Sequence, residues 1–146
     1  MKPAFLILAA ALTLGSCGGP KQLGVDHAWV RLPPVAGHPA AAYFQLHGGA
    51  DTATLVAVDT PAAAQAQMHE SMTANGMSSM APLAKVSVPA GETVKFAPGG
   101  KHVMLFGLNA AIAPGGKIPL HLRFADGTQL TANADAVAAG APPPQG

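Results

Sequence analysis

The sequence predicts an all-β domain, an antiparallel sandwich or barrel, on three observations. Short apolar or β-branched runs recur roughly every ten residues, each ended by a Pro, Gly or Asp-Gly turn signal. Beyond the N-terminal apolar stretch, no segment sustains an apolar period of about 3.6 residues for three turns. Only 5% of the chain is aromatic and 10% charged, so a core must be assembled from Val, Leu, Ala and a few Phe.

The elements follow in order. Residues 25–32 (VDHAWVRL) alternate in part and stop at Pro33-Pro34, as a strand closed by a proline turn does. Residues 40–46 form a second strand, broken by Gly48-Gly49, and residues 52–58 (TATLVAV) a third, stopped near Pro61. Residues 62–66 are alanine-rich and read as a brief helical turn. Asn75-Gly76 is the strongest hairpin signal in the chain and predicts a two-residue type I′ turn. Residues 84–88 and 93–96 are short strands around Pro89-Ala90-Gly91. Residues 102–108, 118–124 and 128–134 complete the set, punctuated by Pro114-Gly115-Gly116 and Asp126-Gly127. The domain is expected over residues 25–135, after a short tether at 18–24. The Ala/Pro/Gly-rich tail, 136–146, is expected to be disordered.

Residues 1–17 read as an export signal: Lys2 supplies a positive start, residues 4–14 an apolar run, and Leu14-Gly15-Ser16-Cys17 a lipobox-like end. This makes Cys17 the expected lipidation site and the bacterial periplasm the expected compartment. No acidic residue follows Cys17, which favours the outer membrane by likeness to other lipoproteins. The membrane is then reached only through the lipid anchor. Cys17 is the single cysteine, so the domain holds no disulfide framework and no thiol nucleophile. A net charge of +1 with no Lys/Arg run excludes an electrostatic footprint for nucleic acid. Paired carboxylates and a Ser/His/Asp order are also missing, so the chain is not read as an enzyme.

Chemistry concentrates between Met68 and Met104. His69, Met80, His102 and Met104 follow the spacing H-x10-M-x21-H-x-M, offering two imidazoles and two thioethers. Thioether sulfur selects Cu(I), and imidazole suits copper in either oxidation state. A type I′ turn at Asn75-Gly76 pairs residue 74 with 77, 72 with 79 and 71 with 80. Met80 then shares a face with Ser71 and His69. His102 and Met104 are two apart in a strand and also share a face, with Val103 and Leu105 toward the core. The two pairs meet only if the His102 strand lies beside the hairpin. Met68, Met72 and Met77 fall on the opposite face and read as ordinary fillers. Met72 or Met77 joins the metal site only if the turn is longer. His27, His38, His47 and His121 each stand alone in the sequence.

At these residues the chain resembles the PCuAC family of periplasmic copper chaperones. The resemblance extends through His27-Ala28-Trp29-Val30-Arg31, Ala41-Ala42-Tyr43-Phe44, Met80-Ala81-Pro82, Val88-Pro89-Ala90-Gly91, Pro98-Gly99-Gly100-Lys101-His102-Val103-Met104-Leu105 and Ile118-Pro119-Leu120. It implies a cupredoxin-like β-sandwich with Cu(I) held by His69, Met80, His102 and Met104. It also implies delivery toward the binuclear copper centre of cytochrome c oxidase, with that enzyme's copper subunit or a Sco-type thiol protein as partner. Some members carry a Met/His-rich C-terminal extension, whereas this chain ends in AGAPPPQG. Two rival readings use the same sequence: copper storage or resistance, and a metal-free assembly module. An electron-transfer cupredoxin is excluded, because blue-copper sites need a Cys thiolate and Cys17 lies in the export signal.

Overall fold

The structure is a computed structural model and describes residues 21–145. The expected export signal with Cys17 lies outside the described residues, as does the first part of the expected tether. Ten strands follow one another: β1 (Gly24–Arg31), β2 (Ala40–His47), β3 (Ala53–Asp59), β4 (Gln65–Ala74), β5 (Met77–Pro82), β6 (Val86–Val88), β7 (Thr93–Phe96), β8 (Lys101–Phe106), β9 (Lys117–Phe124) and β10 (Gln129–Val137). They form one sheet in the order β5-β4-β8-β7-β2-β1-β10-β9-β3-β6. Pairing is antiparallel except at β1–β10 and β7–β8, which run parallel. The first pairing sets the beginning of the domain beside its last strand. The second exists because β2 is shared: its first half pairs with β8 and its second half with β7.

The sheet bends back so that β3, near one end, packs against β4, near the other. The inner face is the core. Val30, Ala42, Phe44, Leu46, Leu55, Val103, Leu105, Ile118, Leu120 and Leu122 form it, with Val103 beside Ala42 and Leu105 beside Ala40 on the paired strands β8 and β2. Phe44 and Phe96 stack with ring centroids 4.4 Å apart. Strict alternation on β9 (Ile118, Leu120, Leu122 and Phe124 inward) and on β10 (Ala132, Ala134 and Ala136 inward) reflects the period of two that a half-buried strand requires. The small alanines of β10 allow close approach across the core.

Two expectations are corrected. Residues 62–66 form no helical turn. Thr60 caps a tight turn after Pro61, its Oγ1 accepting from Ala62 N at 3.2 Å, and Gln65 is already paired with Phe106. Ladder pairing outweighs the small helix propensity of alanine. The tail is not structureless from residue 136: β10 runs through Val137, and Arg31 Nη2 donates to the Ala141 carbonyl at 3.4 Å.

The core predicts its own weak points. Leu122 is fully buried between Leu130 and Val58 on the neighbouring strands. Leu122→Ala is expected to lower unfolding free energy by about 2–5 kcal/mol in urea titrations. Val56→Ala, at an exposed position on β3, should stay within about 0.5 kcal/mol of the parent.

Candidate metal centre

The hairpin β4–β5 turns at Asn75 (φ 52°) and Gly76 (φ 73°), both left-handed, as a type I′ turn demands. Its register is Ala74↔Met77, Met72↔Ser79 and Ser71↔Met80, the pairing that a two-residue turn predicts. β4 pairs on its other side with β8, with His69 directly opposite His102 and Gln67 opposite Met104. His69, Met80, His102 and Met104 therefore stand on one face of three adjacent strands. Met68, Val103 and Leu105 project the other way and are buried in the core.

The two imidazoles meet edge to face, ring centroids 5.9 Å apart at 75°. His102 is only 5% exposed. Its Nδ1 lies 3.0 Å from the Gly100 carbonyl oxygen, which can only accept. Nδ1 therefore carries the proton, and Nε2 keeps the lone pair that a metal needs. The acceptor is built locally. Ala97-Pro98-Gly99-Gly100 is a turn closed by Gly100 N on Ala97 O at 3.0 Å, with Gly99 at φ 83°. Pro in second place and a left-handed Gly in third are the signature of a type II turn. The same Gly100 carbonyl accepts from Ser71 N at 3.0 Å, tying the β7–β8 turn to the hairpin.

His69 Nδ1 is buried and has no hydrogen-bond partner among the described residues. An unsatisfied buried nitrogen costs about 1–3 kcal/mol. A metal ion on that lone pair removes the penalty, and a pair of thioethers and a second imidazole share its face. The donor set thus fits a soft monovalent ion. Met104 is half-buried and Met80 is 60% exposed, so the cluster is closed on one side and open at the rim. Among the described residues no three His, Cys, Asp or Glu side chains gather as a metal site. On β2, Ala41 lies opposite Met104, and two residues on Tyr43 packs against Trp29, ring centroids 4.4 Å apart. Burial pushes the Tyr43 hydroxyl up, with Arg31 opposing, and the Arg31 guanidinium lies 4.9 Å from the Trp29 ring centroid.

Met72 and Met77 do not face this cluster. The turn has only two residues, so both lie on the reverse side of the hairpin. Met68 is a core residue. Of the histidines that stand alone in the sequence, His121 Nδ1 lies 3.2 Å from Thr131 Oγ1, and His27 and His47 gather around one carboxylate. His27 Nδ1 and His47 Nε2 each donate to Asp26 Oδ1 at 2.8 Å, and His47 Nδ1 lies 3.1 Å from Thr93 Oγ1. A bulge between Asp26 and Trp29 places His27 at φ 49° and turns it back on Asp26. Only the β1–β2 register joins these residues, so no local sequence signal could have found the group.

A family model described as "Putative lipoprotein LpqE-like" matches residues 23–136. The chain belongs to the LpqE-like family. A relative from Leifsonia xyli subsp. xyli, named "Putative lipoprotein Lxx21020", is 40% identical over 105 residues, covering 71% of this chain. The alignment spans 63% of that relative's length. Among solved structures, the copper-bound PCuAC domain from PmoF2 superposes with a TM-score of 0.65 at 21% identity, covering 82% of this chain and 98% of that one. The solution structure of apo-DR1885 from Deinococcus radiodurans is 26% identical with a TM-score of 0.60, covering 94% and 95% of the two chains. DR1885 is also known in a Cu(I) form, with the same TM-score and identity over 84% and 81%. The fold of this LpqE-like chain is thus the all-β, cupredoxin-like fold of PCuAC domains.

Two outcomes follow. Long-range 1H–15N spectra of the metal-free protein above neutral pH should show His102 as the Nδ1–H tautomer; an Nε2–H pattern would break the assignment of Nε2 as donor. Burial raises the Asp26 carboxyl, but hydrogen bonds to His27 and His47 and their charges outweigh it and hold it below its ordinary 3.8. The stability this contributes is present above that value and is lost as pH falls through the lower folded one. In denaturant titrations the gap between the parent and Asp26→Asn should therefore narrow as pH falls below the ordinary 3.8. The gap itself is small, because the group is half-exposed and screened.

Proposed function

We propose that this LpqE-like protein is an extracytoplasmic copper chaperone that binds one Cu(I) through His69, Met80, His102 and Met104. One observation carries the reading: two imidazoles and two thioethers share one sheet face, and a buried His69 nitrogen there lacks any partner among the described residues. The fold-mates from PmoF2 and Deinococcus radiodurans, which hold copper, support it. So does the chemistry of transfer. Neutral donors retain Cu(I) without thiolate charge, and a thiolate acceptor can draw the ion away. Imidazole binds as the neutral base, so protons compete with the metal and acid favours release.

The lipoprotein descriptions of the family and of the Leifsonia protein support acylation at Cys17 and tethering at a membrane; the outer membrane is favoured only by the Gly-Gly-Pro-Lys run directly after Cys17, which holds no acidic residue. We take the acceptor to be the binuclear copper centre of cytochrome c oxidase, reached through its copper subunit or a Sco-type thiol protein. Exposure of Met80 at the rim favours delivery over storage, because an incoming ligand can replace this thioether first.

Titration of Cu(I) against a competing chelator should find one tight equivalent, lost in His102→Ala/Met104→Ala. The absence of any tight equivalent would leave the fold as a metal-free assembly module, and binding that survives the double substitution would place the copper site away from His102 and Met104. A deletion strain that assembles cytochrome c oxidase normally, yet becomes copper-sensitive, would reassign the protein to sequestration.

A further inference from the structure

The β4–β5 hairpin carries sulfur where no core needs it. Met68, Glu70 and Met72 share the core-directed face of β4. Met68 is buried, but one step outward Glu70 meets Lys101 Nζ at 3.0 Å, and this ion pair ends the apolar interior. Glu70↔Lys101 is also the last pairing between β4 and β8; beyond it only the two hairpin strands continue. Met72 and Met77 lie past that point, 49% and 75% exposed. Core packing does not account for them. Polar side chains such as those of Ser78 and Ser79 would serve a solvated hairpin tip better.

Their placement suits a ligand. Met72 is opposite Ser79 and Met77 opposite Ala74, so the two methionines are diagonal neighbours on one face. Diagonal positions lie about 7–8 Å apart at the backbone, within reach of long side chains. Each methionine has three rotatable bonds to close on a common ion. Ala74 and Ser79, which complete that face of the tip, are small and leave the space between the sulfurs open.

We propose that Met72 and Met77 form a second, weaker soft-metal site, for Cu(I) or Ag(I), on the reverse face of the hairpin from His69 and Met80. Two neutral thioethers select a soft monovalent ion, and without an imidazole they hold it less firmly than the His/Met face. The ion stays monovalent throughout. β5 is the free edge of the sheet, so the site is open to an incoming donor. Met72 and Met80, without Met77, also line one hollow of about 330 Å³ with Ser71, Thr73, Ser78, Ser79 and Gly99, which sets an ion held at Met72 close to Met80. This hand-over to Met80 rests on the copper reading of the His/Met face; binding at Met72 and Met77 does not.

The test is a silver titration of the full chain carrying 13C-labelled methionine methyls. Met80 and Met104 should shift with the first equivalent, and Met72 and Met77 together with the second. Met72→Leu/Met77→Leu keeps the apolar bulk and should keep the first equivalent while losing the second. Met72 and Met77 methyls unmoved by excess Ag(I), or a second equivalent that persists in the variant, would overturn the site. Should Met72 and Met77 respond while Met80 and Met104 stay silent, the second site stands and the His/Met reading fails. Slower filling of Met80 in the variant supports the hand-over, and an unchanged rate removes it.

Discussion

The pairing of β4 with β8 is the constraint on which the candidate centre depends. In that ladder His69 faces His102, and the next pair inward is Met68 with Val103, both buried in the core. Side chains alternate with a period of two, so a slip of one residue would send His69 into the core and Met68 out to solvent. The apolar pair therefore holds the register, and the polar pair inherits its position. On the other side of the same step, Glu70 and Lys101 mark where the interior stops. Met68 binds nothing in this account, yet its burial aligns the donors.

The backbone support of the two histidine-bearing strands comes from a turn rather than a strand. Ala97-Pro98-Gly99-Gly100 brings the Gly100 carbonyl within reach of both His102 Nδ1 and Ser71 N. One oxygen thus orients the buried imidazole and anchors the hairpin beside it. His69 is treated differently: its Nδ1 is buried with no partner among the described residues. One imidazole is oriented by the protein while the other is left unsatisfied, and the exposed Met80 sits at the rim. Such a cluster suits an ion that must arrive and leave, because the open side is where a new ligand attacks.

Much of this was legible from local signals. Asn75-Gly76 specifies a two-residue turn, and from it the hairpin register follows without any tertiary knowledge. The one-on, one-off alternation of His102, Val103, Met104 and Leu105 shows which side of that strand faces the core. The alanine-rich run at residues 62–66 misled, because propensity is weak and a ladder partner at Phe106 decides the matter. The Asp26, His27 and His47 group was invisible for a related reason: residues 21 apart in the chain touch only through strand pairing and a bulge.

By itself, then, the sequence determined the β class, most of the turns, the two faces of the hairpin and of the His102 strand, and the presence of four soft donors. These are encoded within a few residues, by φ preferences at Asn, Gly and Pro and by apolar alternation. Only the tertiary structure decided that β8 lies beside β4, that Met72 and Met77 fall beyond the end of the core, and that His69 Nδ1 has no partner among the described residues. Each of these depends on which strands share a ladder. That choice is made by burying apolar side chains distant in sequence, such as Met68 and Val103, against one another.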